Sequence, residues 1–218
     1  MQNIFILASN NKNKLREMKE KLAPLGIEVI SQSEAGYNID VDETGSTFLE
    51  NASLKARAIY EISHKPVIAD DSGLEIDFLN GEPGVYSARW AGENATDKDK
   101  INKALNLMKG VPEESRTARF KCALCYIDGS GESHIFEGVC EGKIATEAHG
   151  DNGFGYDPIF LYEGKSFANM TSDEKNAVSH RGLAVDKFIK YLEQNLDWYF
   201  SRIKLQLRKI TSYAEGMY

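Results

Sequence analysis

With 218 residues, 42% hydrophobic and 27% charged, the chain is long enough to bury a sizeable core and has the balance of an ordinary globular protein. Its formal net charge of -7 argues against general nucleic-acid affinity but leaves an anionic small ligand open through a local positive pocket or a metal. No stretch approaches the ~20 apolar residues of a membrane span, and residues 1–8 lack the basic flank and the length of a signal peptide. The expectation is a cytoplasmic protein with neither membrane nor nucleic acid as partner.

Residues 4–8 are a short apolar run, the pattern of a buried parallel strand. The run leads into Ser9-Asn10-Asn11-Lys12-Asn13-Lys14. Leu15, Met18 and Leu22 then recur at helical spacing until Pro24 and Gly26 stop the helix. A strand, a polar loop with lysines and a helix N-terminus make an anion site, because free backbone N–H groups and the helix dipole point at the ligand. Lys12 and Lys14 add charge suited to a phosphate tail, although the G-x-x-x-x-G-K pattern of a Walker loop is absent. The plainer alternative is a solvated loop with an asparagine cap. Residues 28–30 read as a second strand, and residues 31–46 as a polar, acidic segment carrying Glu43. Thr47 and Glu50 fit a capping box. The helix they open runs to about residue 63 and buries Phe48, Ala52, Ala56 and Ile59. Lys55 lies on another stripe, placed to reach toward a cleft.

The stretch Pro66-Val67-Ile68-Ala69-Asp70-Asp71-Ser72-Gly73 organises the rest. An apolar run between a proline and a glycine reads as a buried strand, here ending in two carboxylates. Neighbouring strand residues point to opposite faces, so at most one of Asp70 and Asp71 turns into the core. The other meets solvent or a ligand at the strand's carboxyl end, where open α/β sheets place their sites. Two like charges so close favour a raised pKa or a bound cation. A hard cation of the magnesium type prefers such oxygens, and Glu43 beside Asp71 would complete its site. The alternative is a polar strand cap with turn residues.

After the turn-rich Asn80–Gly84, Tyr86-Ser87-Ala88-Arg89-Trp90 is an aromatic and basic stretch suited to covering a ligand. Residues 97–109 read as a helix. Residues 118–127 and 132–141 alternate on either side of Asp128-Gly129-Ser130-Gly131, a long β-hairpin that makes the sheet mixed. Cys122 and Cys125 share a C-x-x-C spacing there. Strand residues three apart face opposite sides and no second pair follows, so zinc or redox chemistry is not expected. Gly150, Gly153 and Gly155 let the backbone approach a ligand. Between them Phe154 offers a flat face for a base, and Asp157 offers an acceptor to a base or sugar edge. Thr171 and Glu174 make a second capping box, opening a short helix that carries Lys175. Ser179-His180-Arg181-Gly182 reads as a binding turn, followed by an amphipathic helix over about 183–196. Residues 1–196 are expected to form one domain of two lobes, and residues 197–218 a tail of unknown role.

Together these stretches resemble the inosine-triphosphate pyrophosphatase family, also called the XTP/dITP diphosphatases. The matching words are Ser9-x-Asn11-x-x-Lys14, Glu43-Thr44-Gly45 with Thr47-Phe48-x-Glu50-Asn51-Ala52, Ala69–Gly73, Pro83–Arg89, Phe154–Pro158, and Glu174-Lys175 with Ser179–Gly182. They occur in the family's order over residues 4 to about 196. The resemblance implies an α/β fold of two lobes, a mixed sheet with flanking helices around a central substrate cleft, and a homodimer. It implies hydrolysis of the deaminated purine nucleoside triphosphates ITP, dITP and XTP to monophosphate and pyrophosphate, which clears them from the nucleotide pool. It implies Mg²⁺, held by Glu43 and Asp71, with Asp71 also the proton acceptor for water. Ser9, Asn10, Asn11, Lys12, Asn13 and Lys14 would hold the triphosphate and Ser72 would touch substrate. Phe154, Gly155, Tyr156, Asp157, Lys175, His180 and Arg181 would bind the nucleoside end. Lys55 and Arg89 join the substrate-binding set from their placement.

The chemistry agrees with this reading. Attack on a polyanion needs a cation to offset charge and a base to orient water. Arg181, His180 and Lys175 are donors suited to a 6-oxo purine, and adenine's amino group would leave them unpaired. Two rival readings have different requirements. A phosphatase working through an aspartyl-phosphate would want D-x-D-x-T after the strand, and a non-catalytic nucleotide sensor would need no base.

Overall fold

The computed structural model describes residues 3–195. The residues up to Val185 form one compact unit, and a second begins at Asp186, where residues 186–195 are helical. The tail expected at residues 197–218 lies outside the described residues. Among those described, no helix is long and apolar enough to cross a membrane.

The first unit holds seven strands: β1 (Asn3–Leu7), β2 (Ile27–Ser31), β3 (Val67–Ile76), β4 (Thr117–Ile127), β5 (Ser133–Ile144), β6 (Phe160–Tyr162) and β7 (Lys165–Ser166). They make one sheet in the order β2-β1-β3-β4-β5-β6-β7, parallel where β1 meets β2 and β3, antiparallel from β3 onward. This is the mixed α/β sheet expected. Its helices are α1 (Lys12–Leu22), α2 (Phe48–Ser63), α3 (Asp97–Leu107) and α4 (Ser172–Val178), with residues 180–185 helical again. The capping boxes at Thr47 and Thr171 form, each satisfying orphan N–H groups at a helix start. A third, Thr96 with Asp99, opens α3.

Among the described residues, two apolar clusters share the long strands. One packs α2 residues Phe48, Ala52, Ala56 and Ile59 against Val67 and Ala69 of β3 and Ala123, Cys125 and Ile127 of β4. The other gathers Leu74 and Ile76 of β3 and Ala118 and Phe120 of β4 with Ile101 and Ala104 of α3 and with Phe160 and Phe167. Between them along β3 come Asp70, Asp71, Ser72 and Gly73. The two lobes thus meet at a polar interruption of a continuous strand.

That corrects one expectation. β3 does not end at Gly73. It continues to Ile76 because β4 pairs with all of it, from Val67↔Ile127 to Ile76↔Ala118. The strand that does end here is β1, which covers β3 only at Val67 and Ile68. Beyond that point one edge of β3 has no named strand beside it among the described residues, and the cleft opens there. Loop residues satisfy part of this edge. The Leu74 N–H donates to the Ser87 hydroxyl, which itself donates to the Gly84 carbonyl. Gly73 has no space for a Cβ against the Ser87 hydroxyl, the Gly84 carbonyl and the Phe48 ring, so the loop docks only on a glycine.

The C-x-x-C pair behaves as strand geometry requires. Cys122 and Cys125 are buried, free and three residues apart on β4. Burial pushes the Cys122 thiol up to about 12, which makes it inert.

Candidate active site

A cleft of about 750 Å³ opens in the first unit, a size suited to a small organic ligand. It gathers the residues singled out along the chain: Ser9, Asn10, Asn11, Asn13 and Lys14; Glu43 and Lys55; Asp71 and Ser72; Phe154, Gly155, Tyr156 and Asp157; Lys175, His180 and Arg181. Lys12 and Arg89 do not line it. Arg89 instead stands 3.7 Å from Glu43 at the rim, with its guanidinium over Tyr86. Lys12 begins α1 beyond the capping residue.

The loop before α1 differs from a bare anion nest. The Asn11 side chain accepts from the N–H groups of Asn13 and Lys14, so these first-turn donors are already used. What the loop presents to the cleft is side chains, and Lys14 carries the charge.

Asp70 and Asp71 point to opposite faces, as neighbours on a strand must, yet both are buried, at 1% and 7% exposure. Asp70 Oδ2 lies 3.1 Å from Lys14 Nζ and 3.0 Å from Arg181 Nε. Burial alone would raise its pKa, but Lys14 and Arg181 outweigh it and hold the group well below the usual carboxylate range. Asp71 accepts from Asn51 Nδ2 at 3.2 Å, and its Oδ1 lies 3.4 Å from Lys55 Nζ. Burial raises Asp71, helped by Glu43, and the nearby lysines do not cancel that rise. Lys55 also donates to Glu43 Oε1 at 2.7 Å. Glu43 and Asp71 thus converge on one ammonium.

At the other end, the Lys175 ammonium sits over the Phe154 ring, 4.6 Å from its centre. His180 stacks on Phe120 at 4.6 Å and 13°. Burial, with Arg181 and Lys175 close by, drives its pKa well below the ordinary value, so the imidazole is neutral. Its Nδ1 and Asp70 Oδ1 are buried without a hydrogen-bond partner among the described residues.

Two expectations need correction here. Ser179–Gly182 is not a turn. Ser179 caps the helical residues that start at 180, accepting the Gly182 N–H on its hydroxyl and the Leu183 N–H on its carbonyl, so His180 and Arg181 stand in a first helical turn. That turn lies against β5 at Gly138, where a Cβ would strike the His180 carbonyl. Asp157 is not a free acceptor either. Its Oδ2 takes the Phe154 N–H at 2.9 Å and Lys175 at 2.7 Å, so it shapes the loop and holds the lysine.

Several residues were not singled out from the sequence. Glu17, on α1, is buried and takes Lys175 on one oxygen at 3.2 Å and Arg181 on the other at 2.5 Å. Burial would raise it, but Arg181 and Lys175 lower it. With it, a row of alternating charge runs Lys14, Asp70, Arg181, Glu17, Lys175, Asp157, no side chain more than 15% exposed. Asn51 joins Asp71 to the Gly45 N–H, at 2.8 Å, and so to the loop bearing Glu43. Asp97 accepts the Gly155 N–H at 2.7 Å and pairs with Lys100, and both line the cleft. The only signal for Glu17 was its helical offset of three from Lys14.

Glu43 and Asp71 fit a magnesium-type ion. They are two oxygen donors facing one open cleft, and Mg²⁺ is usually held by one or two carboxylates while keeping waters and substrate phosphates. The one group of three potential metal ligands among the described residues, Asp128, Glu132 and His134, lies at the hairpin turn and not on the cleft.

The fold and site define an α/β protein whose mixed sheet carries a charge-lined cleft of small-molecule size where β1 ends beside β3. The sequence model of the Ham1 family matches residues 5–191, and the chain belongs to that family. It is 50% identical over 190 residues to a dITP/XTP pyrophosphatase of Bacillus subtilis, covering 86% of this chain and 96% of that one. A Vibrio cholerae protein of the same name is 47% identical over 195 residues, covering 87% and 96%. Among solved structures, the Ham1 protein of Staphylococcus aureus superposes with a TM-score of 0.79 at 42% identity, covering 88% of this chain and all of that one. That of Coxiella burnetii gives 0.80 at 43%, covering 88% and 99%.

Proposed function

We propose that this protein is a magnesium-dependent nucleoside-triphosphate pyrophosphatase, hydrolysing ITP, dITP and XTP to the monophosphate and pyrophosphate. The carrying observation is that one cleft joins the Asp71–Lys55–Glu43 cluster to the Phe154, Lys175, His180 and Arg181 cluster. The close relatives named dITP/XTP pyrophosphatases support the substrate class. A homodimer in the cytoplasm, clearing the nucleotide pool, completes this reading.

In this mechanism Lys14 and Lys55 bind the triphosphate, and Asp71 takes a proton from the attacking water. Burial and the neighbouring Glu43 raise its pKa, which makes it a better base than an ordinary aspartate. Bound magnesium would supply, at Glu43 and Asp71, the positive charge that offsets the developing negative charge on the phosphates. Phe154 stacks the purine. The neutral His180, with Lys175 and the N–H groups of Arg181 not spent on Asp70, Glu17 and Ser72, meets the 6-oxo edge.

The deciding experiment is incubation of the pure protein with ITP, XTP, GTP and ATP, with and without Mg²⁺. Pyrophosphate released from ITP and XTP only with Mg²⁺ is expected. Release of single phosphates would replace this reading with the aspartyl-phosphate one, and tight ITP binding without turnover would replace it with the sensor.

A further inference from the structure

Lys55 holds a position that a nucleotide-binding lysine does not need. Its ammonium is 2.7 Å from Glu43 and 3.4 Å from Asp71, and its side chain is only 12% exposed. It therefore lies between the two carboxylates expected to take the divalent ion. Two carboxylates brought together in a partly buried site repel each other unless a cation stands between them. The backbone does little to relieve this. Asp71 accepts from the Asn51 side chain on one oxygen, and Glu43 is paired with the cations Lys55 and Arg89. We propose that Lys55 is a tethered counter-ion: it occupies the cation position while the site is empty, holds Glu43 and Asp71 together, and yields both carboxylates when a divalent ion binds. The proposal rests on the magnesium reading of this site.

The helix makes such an exchange feasible. Lys55 stands on α2, whose first turn is fixed by the Thr47 capping box and whose residue Asn51 already holds Asp71. Asp71 thus keeps one fixed partner while the flexible four-carbon stem of Lys55 changes place. The ammonium set free lies in the same cleft as Ser9 and Lys14, on the side where the phosphates are expected. One group would then serve in turn as stand-in for the ion and as contact for the substrate.

The consequence is competition between Lys55 and the metal. Removing Lys55 takes away the one ammonium shared by the two acids and leaves Arg89, 3.7 Å from Glu43, at the rim, so the site becomes more negative, and hard-cation affinity follows ligand charge. Calorimetric titration of nucleotide-free protein with Mg²⁺ should show Lys55→Gln binding roughly tenfold more tightly than wild type. Lys100→Gln, which removes another cleft lysine paired with Asp97, should change it by less than about threefold. In wild-type protein, amine acylation read by peptide mass spectrometry should rise at Lys55 when Mg²⁺ is added, as the ammonium leaves its two partners. Equal or weaker Mg²⁺ binding by Lys55→Gln, an equal gain in Lys100→Gln, or unchanged or reduced acylation at Lys55 would overturn the proposal. If Lys55→Gln does not fold, the wild-type acylation result decides alone. None of these results touches the pyrophosphate assay, so failure of the exchange and failure of the magnesium reading are told apart.

Discussion

Asp70 and Asp71 are adjacent, and their pKa values move in opposite directions because the strand sends them to different neighbours. Asp70 has Lys14 and Arg181 within ion-pair reach, and its charge is locked in. Asp71 is raised by burial and by Glu43, so the base role falls to it. Asp71→Asn keeps the shape and removes the basic oxygen. We expect kcat for ITP to fall by about 10²–10⁴-fold while ITP affinity, measured by calorimetry, stays within a few-fold. An unchanged kcat would remove Asp71 from the chemistry. His180 gives a second prediction at this scale. Its folded pKa lies well below the unfolded value of about 6.5, so its neutral form is the one the fold prefers. The sign follows from proton counting: the unfolded chain takes up the proton first. The contribution is fully present above about pH 6.5 and is lost as pH falls below it toward the folded pKa. Urea unfolding at a series of pH values should show a decline below that point in wild type that is shallower in His180→Gln.

At the scale of elements, the readable parts of the chain were those fixed locally. Thr47, Glu50, Thr171 and Glu174 announce helix starts because capping is a matter of a few consecutive residues. The hairpin of β4 and β5 is visible because alternation and a turn are local too. The end of β3 was not, because it is set by β4, some fifty residues later, pairing through Ile76. The helical state of His180 and Arg181 was hidden in the same way. Ser179 looks like any turn serine until the chain beyond it is seen to coil, and Gly138, which admits the His180 carbonyl, lies on another strand. Gly73 supports a prediction of this kind. A methyl group there meets the Ser87 hydroxyl, the Gly84 carbonyl and the Phe48 ring, and two of these are in a loop that lines the cleft. Gly73→Ala should lower stability by about 1–3 kcal/mol in chemical denaturation. It should also raise KM for ITP, because Ser87 and the Tyr156 hydroxyl bonded to its carbonyl must shift. Wild-type stability and KM in this variant would show that the loop does not dock as described.

Across the first unit, the cleft is built from segments that only the sheet order brings together, and the six matching words of the sequence locate its walls but not its internal ties. The tie is the row of alternating charge. It starts at Lys14 on the phosphate side, passes through Asp70 of β3, Arg181 and Glu17 of α1, and ends with Lys175 of α4 and Asp157 at the nucleoside side. Neighbours in such a row neutralise one another, and each buried charge would be costly alone. Glu17 is the middle acid, and its ion pairs run to Lys175 and Arg181. Its removal therefore tests whether the two cations at the nucleoside end are held from behind. Glu17→Gln leaves Lys175 and Arg181 with one carboxylate each, Asp157 and Asp70, and takes away the acid between them. We expect a loss of about 3 kcal/mol in unfolding free energy, the scale for breaking one partner out of a buried pair. We also expect a rise in KM for ITP well beyond any change in kcat, because the nucleoside end is displaced while Asp71, Lys55 and Glu43 keep their own contacts. Glu17→Asp, which retains the charge on a shorter stem, should recover part of the stability and less of the KM. If kcat falls instead and KM is unchanged, the row transmits its effect to the phosphate end through Asp70 and Lys14, and the cleft acts as one electrostatic unit and not as two halves.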